Sequence, residues 1–289
     1  RGQLDATSIS VGARIGLTDR LELEVSLPFR VVSYRSDPVL LVAQPESSAL
    51  SSLDFYQENV IDLSRTVSGV GDFRFTPRVR LFKAPVAVAF EFGIKAPTGY
   101  DGPAGTFGDR PSSQEAFLAD VGRFVAPENV QDDVTLGDAQ LDLSPRLLLG
   151  YALRTGTFFR GALGYDLRLG GAGDQIYAEL KAGQVLHPRL LVYAGVNLVY
   201  AVQTGRVIGV SVAAEDPDVP ARDYGGLDNL RLREVTLDRD ALDLSGGVIV
   251  RMSPAFEVNV GLQRTLWGRN TSVITAVSLS AAFRSDIGS

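Results

Sequence analysis

Residues 139–153 read Ala-Gln-Leu-Asp-Leu-Ser-Pro-Arg-Leu-Leu-Leu-Gly-Tyr-Ala-Leu, so Leu141, Leu143, Leu147, Leu149, Tyr151 and Leu153 share one face of an extended chain while Gln140, Asp142, Ser144, Arg146 and Gly150 share the other. Successive side chains of a strand point to opposite faces, and this is that period of two without interruption. The pattern recurs about ten more times along the chain, with hardly a helical segment between. One such strand fits a soluble sandwich. A whole chain of them predicts a closed antiparallel barrel with apolar side chains toward lipid and polar ones toward a lumen.

The strands pair through short turns. Residues 7–17 and 21–31 flank Thr18-Asp19-Arg20; residues 69–82 and 86–97 flank Lys83-Ala84-Pro85; residues 139–153 and 157–169 flank Arg154-Thr155-Gly156. Residues 175–186 and 190–204 flank His187-Pro188-Arg189, residues 241–252 and 255–266 flank Ser253-Pro254, and residues 272–283 make the last strand. Three of the other connections, 35–68, 98–137 and 205–239, are long, whereas 170–174 and 267–271 are short. Transmembrane barrels put short turns on the periplasmic side and long loops outside, a segregation a sandwich has no reason to show. The expected fold is therefore all-β, one antiparallel up-and-down transmembrane barrel of about twelve strands filling residues 1–289, of which eleven are visible.

Eleven is odd, and single-chain bacterial barrels normally have an even number of strands. The parity of the turns places Arg1 on the loop side, so the expectation is a further strand upstream of Arg1 or a partner chain closing the barrel. Part of residues 39–43 or 60–63 supplying that strand is the alternative. No secretory leader is visible, which makes an exported chain a mature or trimmed form.

Composition removes several functions. There is no cysteine, which excludes disulfide frameworks and thiolate sites, and the single histidine, His187, sits beside Pro188 in a turn without partners for metal or acid-base work. No apolar run reaches the ~18 residues of a membrane helix. The net charge of −6 argues against a nucleic-acid partner. Gly69-Val70-Gly71 precedes no helix and makes no phosphate cradle. The expectation is no catalysis, no metal and no cofactor.

Phe29, Phe82, Phe92, Tyr151, Phe159, Tyr165, Tyr200, Phe256 and Trp267 fall near strand ends, where interfacial aromatic girdles form. Nearly every strand charge falls on the face opposite the leucines. A soluble barrel with an apolar interior has the same alternation, and loop parity and the girdles favour the membrane form. The last strand ends in Phe283, like the C-terminal signal of outer-membrane proteins, although Arg284–Ser289 extend past it.

The segments Gly16-Leu17-Thr18-Asp19-Arg20-Leu21-Glu22-Leu23, Gly69-Val70-Gly71-Asp72-Phe73-Arg74 and Ile94-Lys95-Ala96-Pro97-Thr98-Gly99 occur in the order seen in a group of Gram-negative outer-membrane transporter-like barrels. In this the chain resembles the group named after the MetA pathway of phenol degradation. The resemblance implies passage of small, often hydrophobic or aromatic, solutes across the outer membrane, and it brings no catalytic residue.

The predicted lumen-facing charges are Arg14, Glu22, Glu24, Arg30, Asp72, Arg74, Arg78, Arg80, Glu91, Lys95, Asp142, Arg146, Arg160, Asp166 and Arg168, followed by Glu179, Lys181, Asp243, Arg251 and Glu257. They are either a selectivity lining or a network of ion pairs bracing a narrow barrel. Arg74, Arg78 and Arg80, with Arg14 and Arg30 on neighbouring strands, form the best positive patch for an anionic solute. Acidic residues gather in the second and third long loops, as at Asp101, Asp109, Glu115, Glu215, Asp216 and Asp228, without the spacing of a calcium loop. The predicted role is an outer-membrane channel or transporter for passive passage of small solutes, its partners the membrane lipid and lipopolysaccharide; the rival is a barrel that anchors a multi-protein complex in that membrane.

Overall fold

The computed structural model describes residues 2–36, 39–40, 60–61, 64–103, 134–214 and 230–285. Its elements are strands: β1 (Gly2–Gly16), β2 (Leu21–Ser36), β3 (Val39–Leu40), β4 (Val60–Ile61), β5 (Arg65–Val70), β6 (Phe73–Phe82), β7 (Ala87–Ala96), β8 (Leu141–Ala152), β9 (Thr157–Leu169), β10 (Gln175–His187), β11 (Leu190–Ala201), β12 (Val207–Ala214), β13 (Leu230–Thr236), β14 (Asp240–Ser253), β15 (Phe256–Arg269) and β16 (Thr275–Phe283). One sheet carries the wall in the order β1-β2-β6-β7-β8-β9-β10-β11-β14-β15-β16, every pair antiparallel, with β5 also paired to β2. Each wall strand thus follows its predecessor up and down, and alternate connections fall at the same end.

The wall turns the usual pattern of burial inside out. Asp72, Glu91, Asp142 and Asp243 are buried, while leucines, valines and phenylalanines along every long strand are exposed. Because the alternation has period two, this fixes the concave face as the charged one and the convex face as an apolar belt that hydrocarbon can cover. Exposed aromatics mark both rims of that belt, Phe82, Tyr151, Phe159 and Phe256 toward the short turns and Phe29, Tyr165, Tyr200 and Trp267 toward the long connections. Arg264 departs from the rule. It pairs with Leu244 in register and stands exposed on the convex face, beside a β-bulge that lets Thr265 turn inward against Asp243.

Three local expectations change. The strand expected at 69–82 begins earlier, at Arg65, and is broken: β5 pairs with the outer half of β2 and β6 with its inner half. The break comes at Gly71 and Asp72 opposite Pro28, where the Gly71 N–H donates to the Pro28 carbonyl at 2.8 Å. Pro28 has no N–H of its own to give a neighbour, and the chain uses that gap to swing Asp72 inward. Among the described residues the short segments at 39–40 and 60–61 pair only with each other and not with the wall, while 41–43 and 62–63 lie outside the described residues. The connection expected at 205–239 contains a hairpin, β12 with β13, that forms its own sheet outside the wall. The acidic loop residues Asp109, Glu115, Glu215, Asp216 and Asp228 lie outside the described residues.

Among the described residues the wall has eleven positions along its path, and neither β1 nor β16 has a strand on its outer edge. Both edge strands are exposed on both faces, with Val277 at 78% and Leu279 at 76%. In an antiparallel path of eleven the first and last strands run the same way. Pairing β1 directly with β16 makes a parallel seam, whereas one strand between them keeps every pair antiparallel.

The apolar belt is tested at Leu180, which is 63% exposed in the middle of β10. Leu180→Arg is expected to destabilise the bilayer-inserted protein by about 2–4 kcal/mol, while Lys181→Ser next to it costs less than about 1 kcal/mol, both read from denaturant midpoints in lipid vesicles.

Candidate lumen and its charge ladder

All fifteen residues predicted to face the lumen lie on the concave side or at its rim, and the structure sorts them into two rows and a remainder. The first row runs across neighbouring strands with alternating sign. Arg14 on β1 holds Glu24 on β2 at 2.6 Å and Glu22 at 3.5 Å. Arg78 on β6 bridges back to Glu22 at 2.7 Å and forward to Glu91 on β7 at 2.6 Å. Glu91 is the register partner of Arg146 on β8, which reaches Asp166 on β9 at 3.4 Å and lays its guanidinium 4.1 Å from the centre of the Tyr177 ring on β10. Farther round, Arg160 lies 3.5 Å from Glu179. The sign thus alternates across six adjacent strands, with ion pairs at every step except β7 to β8, where Glu91 and Arg146 are register partners.

The second row is nearer the long-loop end and is dry. Lys95 on β7 and Arg168 on β9 flank Asp142 on β8, at 2.6 Å and 3.8 Å. Into this row drops a stretch of the second long connection, residues 134–140, in which Val134, Leu136 and Gln140 are buried. Asp138 is its hook. It takes Lys95 at 2.5 Å, pairs with Arg168, and accepts from the Gln140 amide at 3.1 Å. Arg30 on β2 donates to the Leu136 carbonyl at 2.7 Å, and Leu136 fills the space that a side chain at Gly69 would need. Burial pushes the Asp138 carboxyl up, but Lys95 and Arg168 outweigh it and hold its pKa down at about 2. It is a carboxylate at any physiological pH.

Tyr100 closes the hook from above. Its hydroxyl donates to Asp72 and accepts from the Ala139 N–H at 3.2 Å, and it lies where any side chain at Gly137 would stand. Burial, reinforced by the Asp72 carboxylate, raises the Tyr100 hydroxyl above its ordinary range, so it stays a donor. Ala139 is held at a φ of 52°, a conformation that favours glycine and that its bond to Tyr100 helps maintain. Asp138 and Tyr100 were missed as site residues because they lie in irregular connections, where no alternation marks which way a side chain points; Gln140 falls on the polar face by alternation, but its bond to Asp138 depends on the path of the connection.

The opposite wall differs in kind. At mid-height the concave positions of β14, β15 and β16 are Ser245, Gly247, Gly261, Gln263, Ala276 and Ser278, small or uncharged, with Asp243 toward the long connections and the register partners Arg251 and Glu257 toward the short turn. Ser245, Gly261, Gln263 and Ser278 border a cavity of about 220 Å³ shared with Glu179, Lys181, Tyr193, Asn197 and Asp243. Tyr193 lies over Gly247 and Gly261, and its hydroxyl donates to the Asn259 side-chain amide oxygen Oδ1 at 3.2 Å. Of the positive patch expected from sequence, Arg14 and Arg78 are neutralised in the first row and Arg30 is spent on a carbonyl. Of these five arginines, Arg74 and Arg80 have no carboxylate at salt-bridge distance among the described residues. No group of three or more potential metal ligands occurs among them.

No family model and no curated protein matches the chain. Among solved structures it is similar to the COG4313 outer membrane channel from Pseudomonas putida F1, at 12% identity and a TM-score of 0.52, covering 96% of this chain and 82% of that one. It is also similar to a loop L8 deletion mutant of OmpT, an outer membrane protein of Vibrio cholerae, at 9% identity and a TM-score of 0.38, covering 98% of this chain and 99% of that one. The first likeness and the apolar exterior agree on the fold: an antiparallel barrel sheet of the outer-membrane class.

The two rows are expected to differ in strength. The side chain of Lys95 is 13% exposed amid three carboxylates and that of Arg14 is 54% exposed. Lys95→Met therefore costs about 3–5 kcal/mol because it strands buried charge, and Arg14→Met costs about 1 kcal/mol or less, as measured by urea unfolding.

Proposed function

We propose that this chain is the wall of an outer-membrane channel that passes small solutes without a gating energy source. The observation that carries the reading is the asymmetry of the concave face. At mid-height the ion pairs that brace the wall lie on the strands from β1 to β10, a further pair, Arg269 with Asp240 at 2.7 Å, ties β15 to β14 only at the long-connection end, and between them β14 to β16 carry glycine, serine and alanine inward, which leaves room along the axis. A barrel built only as an anchor has no need for that space, since packed side chains fill narrow barrels readily.

The kinship with the MetA-pathway group is part of the same proposal. The three segments that carry it work together here. In the first, the Thr18 hydroxyl accepts from the Arg20 and Leu21 N–H groups at 3.1 and 3.0 Å and sets the β1–β2 turn. The second contains the break between β5 and β6, and the third reaches back to it through the Thr98 hydroxyl, which donates to the Val70 carbonyl at 2.8 Å, with Gly99 at a φ of 98° where only glycine is at ease.

A channel needs a closed wall. We infer that one further antiparallel strand, whatever its source, lies between β1 and β16. The chain has no cysteine of its own, so engineered pairs report cleanly. Cysteines scanned along β1 against β16 are expected to form no disulfide in the native membrane, because a strand between them holds the backbones roughly 10 Å apart; efficient bonding at any register overturns the inserted strand.

Reconstitution into planar bilayers tests the channel itself. Stepwise currents are the expected result, and a stably inserted, heat-modifiable barrel that stays silent favours an anchoring role instead.

A further inference from the structure

We propose that the short-turn mouth of the lumen is a binding site for a small organic acid, its carboxylate held by Arg80 and Lys83 and its hydrocarbon body laid against Leu148 and Phe158. This deepens the channel reading and rests on it for its biological sense. A cavity of about 780 Å³ opens there, within the range of sites that enclose small molecules.

Charge is the first argument. Arg20, Arg80 and Lys83 border the cavity, and none of them has a carboxylate at salt-bridge distance among the described residues. The cavity also contains Arg78 and Glu22, but these are committed to each other at 2.7 Å and to the ladder beyond, and Arg160 has Glu179 at 3.5 Å. The only other bordering carboxylate is Asp19. The mouth therefore carries unanswered positive charge beside a row in which Arg14, Arg78, Glu22 and Glu91 are paired with one another. An anion arriving there meets donors that no internal partner occupies, and a guanidinium can receive a carboxylate through two parallel hydrogen bonds.

Apolarity is the second. At this mouth Ala87 and Ala89 on β7, Leu148 on β8 and Phe158 on β9 all face inward beside the cations, joined in register through Ala89 with Leu148 and Ala152 with Phe158. Phe158 is placed by Gly183 on β10, since a side chain at that glycine would collide with the Phe158 ring. The alternation that sends their neighbours Leu147, Leu149 and Phe159 to lipid sends these two into the lumen. A ligand with an apolar body covers them, and one with an anionic end satisfies the cations beside them. Both features in one cavity select a carboxylate on a hydrocarbon frame, aromatic or aliphatic, over a neutral solute of the same size.

The test uses detergent-solubilised protein, 4-fluorobenzoate as the acid probe and 4-fluorobenzyl alcohol as its neutral counterpart, with binding read from fluorine NMR line widths. The acid is expected to bind about tenfold more tightly than the alcohol, the effect of one charge-assisted contact. Arg80→Gln with Lys83→Gln should bring the two probes level, and Leu148→Asn should weaken both; heat-modifiable gel migration confirms that each variant is folded. Equal binding of acid and alcohol to the parent protein, or acid binding indifferent to the Arg80 and Lys83 changes, overturns the site. Currents without selective acid binding refute this site and leave the channel standing, whereas selective binding with no current supports the site and refutes the channel.

Discussion

Hydrocarbon offers a backbone no hydrogen-bond partner, and everything else in this molecule follows from meeting that condition with strands. Once the N–H and C=O groups are paired across a continuous sheet, each residue has only one remaining choice, to face lipid or to face the lumen. Leu163, Leu180 and Val260 face out and Glu91, Asp142 and Asp243 face in. The polar interior is what remains after the apolar half of every strand has been assigned outside. Where β1 and β16 leave a row of backbone groups unpaired, the same condition marks the seam as the place where the described wall is incomplete.

A polar interior creates its own problem, because charges gathered in a narrow space repel or strand one another. The two rows solve it differently. In the row from Arg14 to Asp166 each charge lies between opposite charges on its neighbours, in contact with water at its β1 end. In the row around Lys95 three carboxylates and Arg168 are packed out of water, and the stretch at 134–140 supplies both a charge, Asp138, and the lid that keeps the row dry. Interactions of this second kind are strong when complete and costly when one member is lost. The loop stretch is accordingly part of the barrel's frame.

The wall was legible because lipid imposes a strict rule on sequence. Alternation at Leu141, Leu143, Leu147 and Leu149 located β8 and gave its facing in one step, and the same rule separates charges such as Glu91 and Asp243 from the exposed leucines of their strands. It failed where the rule does not operate. The break at Gly71 reads as a continuous strand, since alternation survives on both sides of it, and only the missing N–H of Pro28 on the neighbouring strand hints at the gap. The hook at Asp138 belongs to a connection whose path is set by distant partners, Arg30, Lys95 and Arg168. Pairing was also beyond reach: Arg74 and Arg78 look alike in sequence, and register alone makes one a neutralised rung and leaves the other unmatched.

The sign pattern of the first row has a bearing on how the sheet is put together. Read around the wall it runs positive on β1, negative on β2, positive on β6, negative on β7, positive on β8 and negative on β9. A strand placed next to its second neighbour instead of its first would set like charges side by side, and a slip of one residue would turn its charges out into lipid. The row therefore works as an address written across the strands, readable only when they are laid down in chain order and in register.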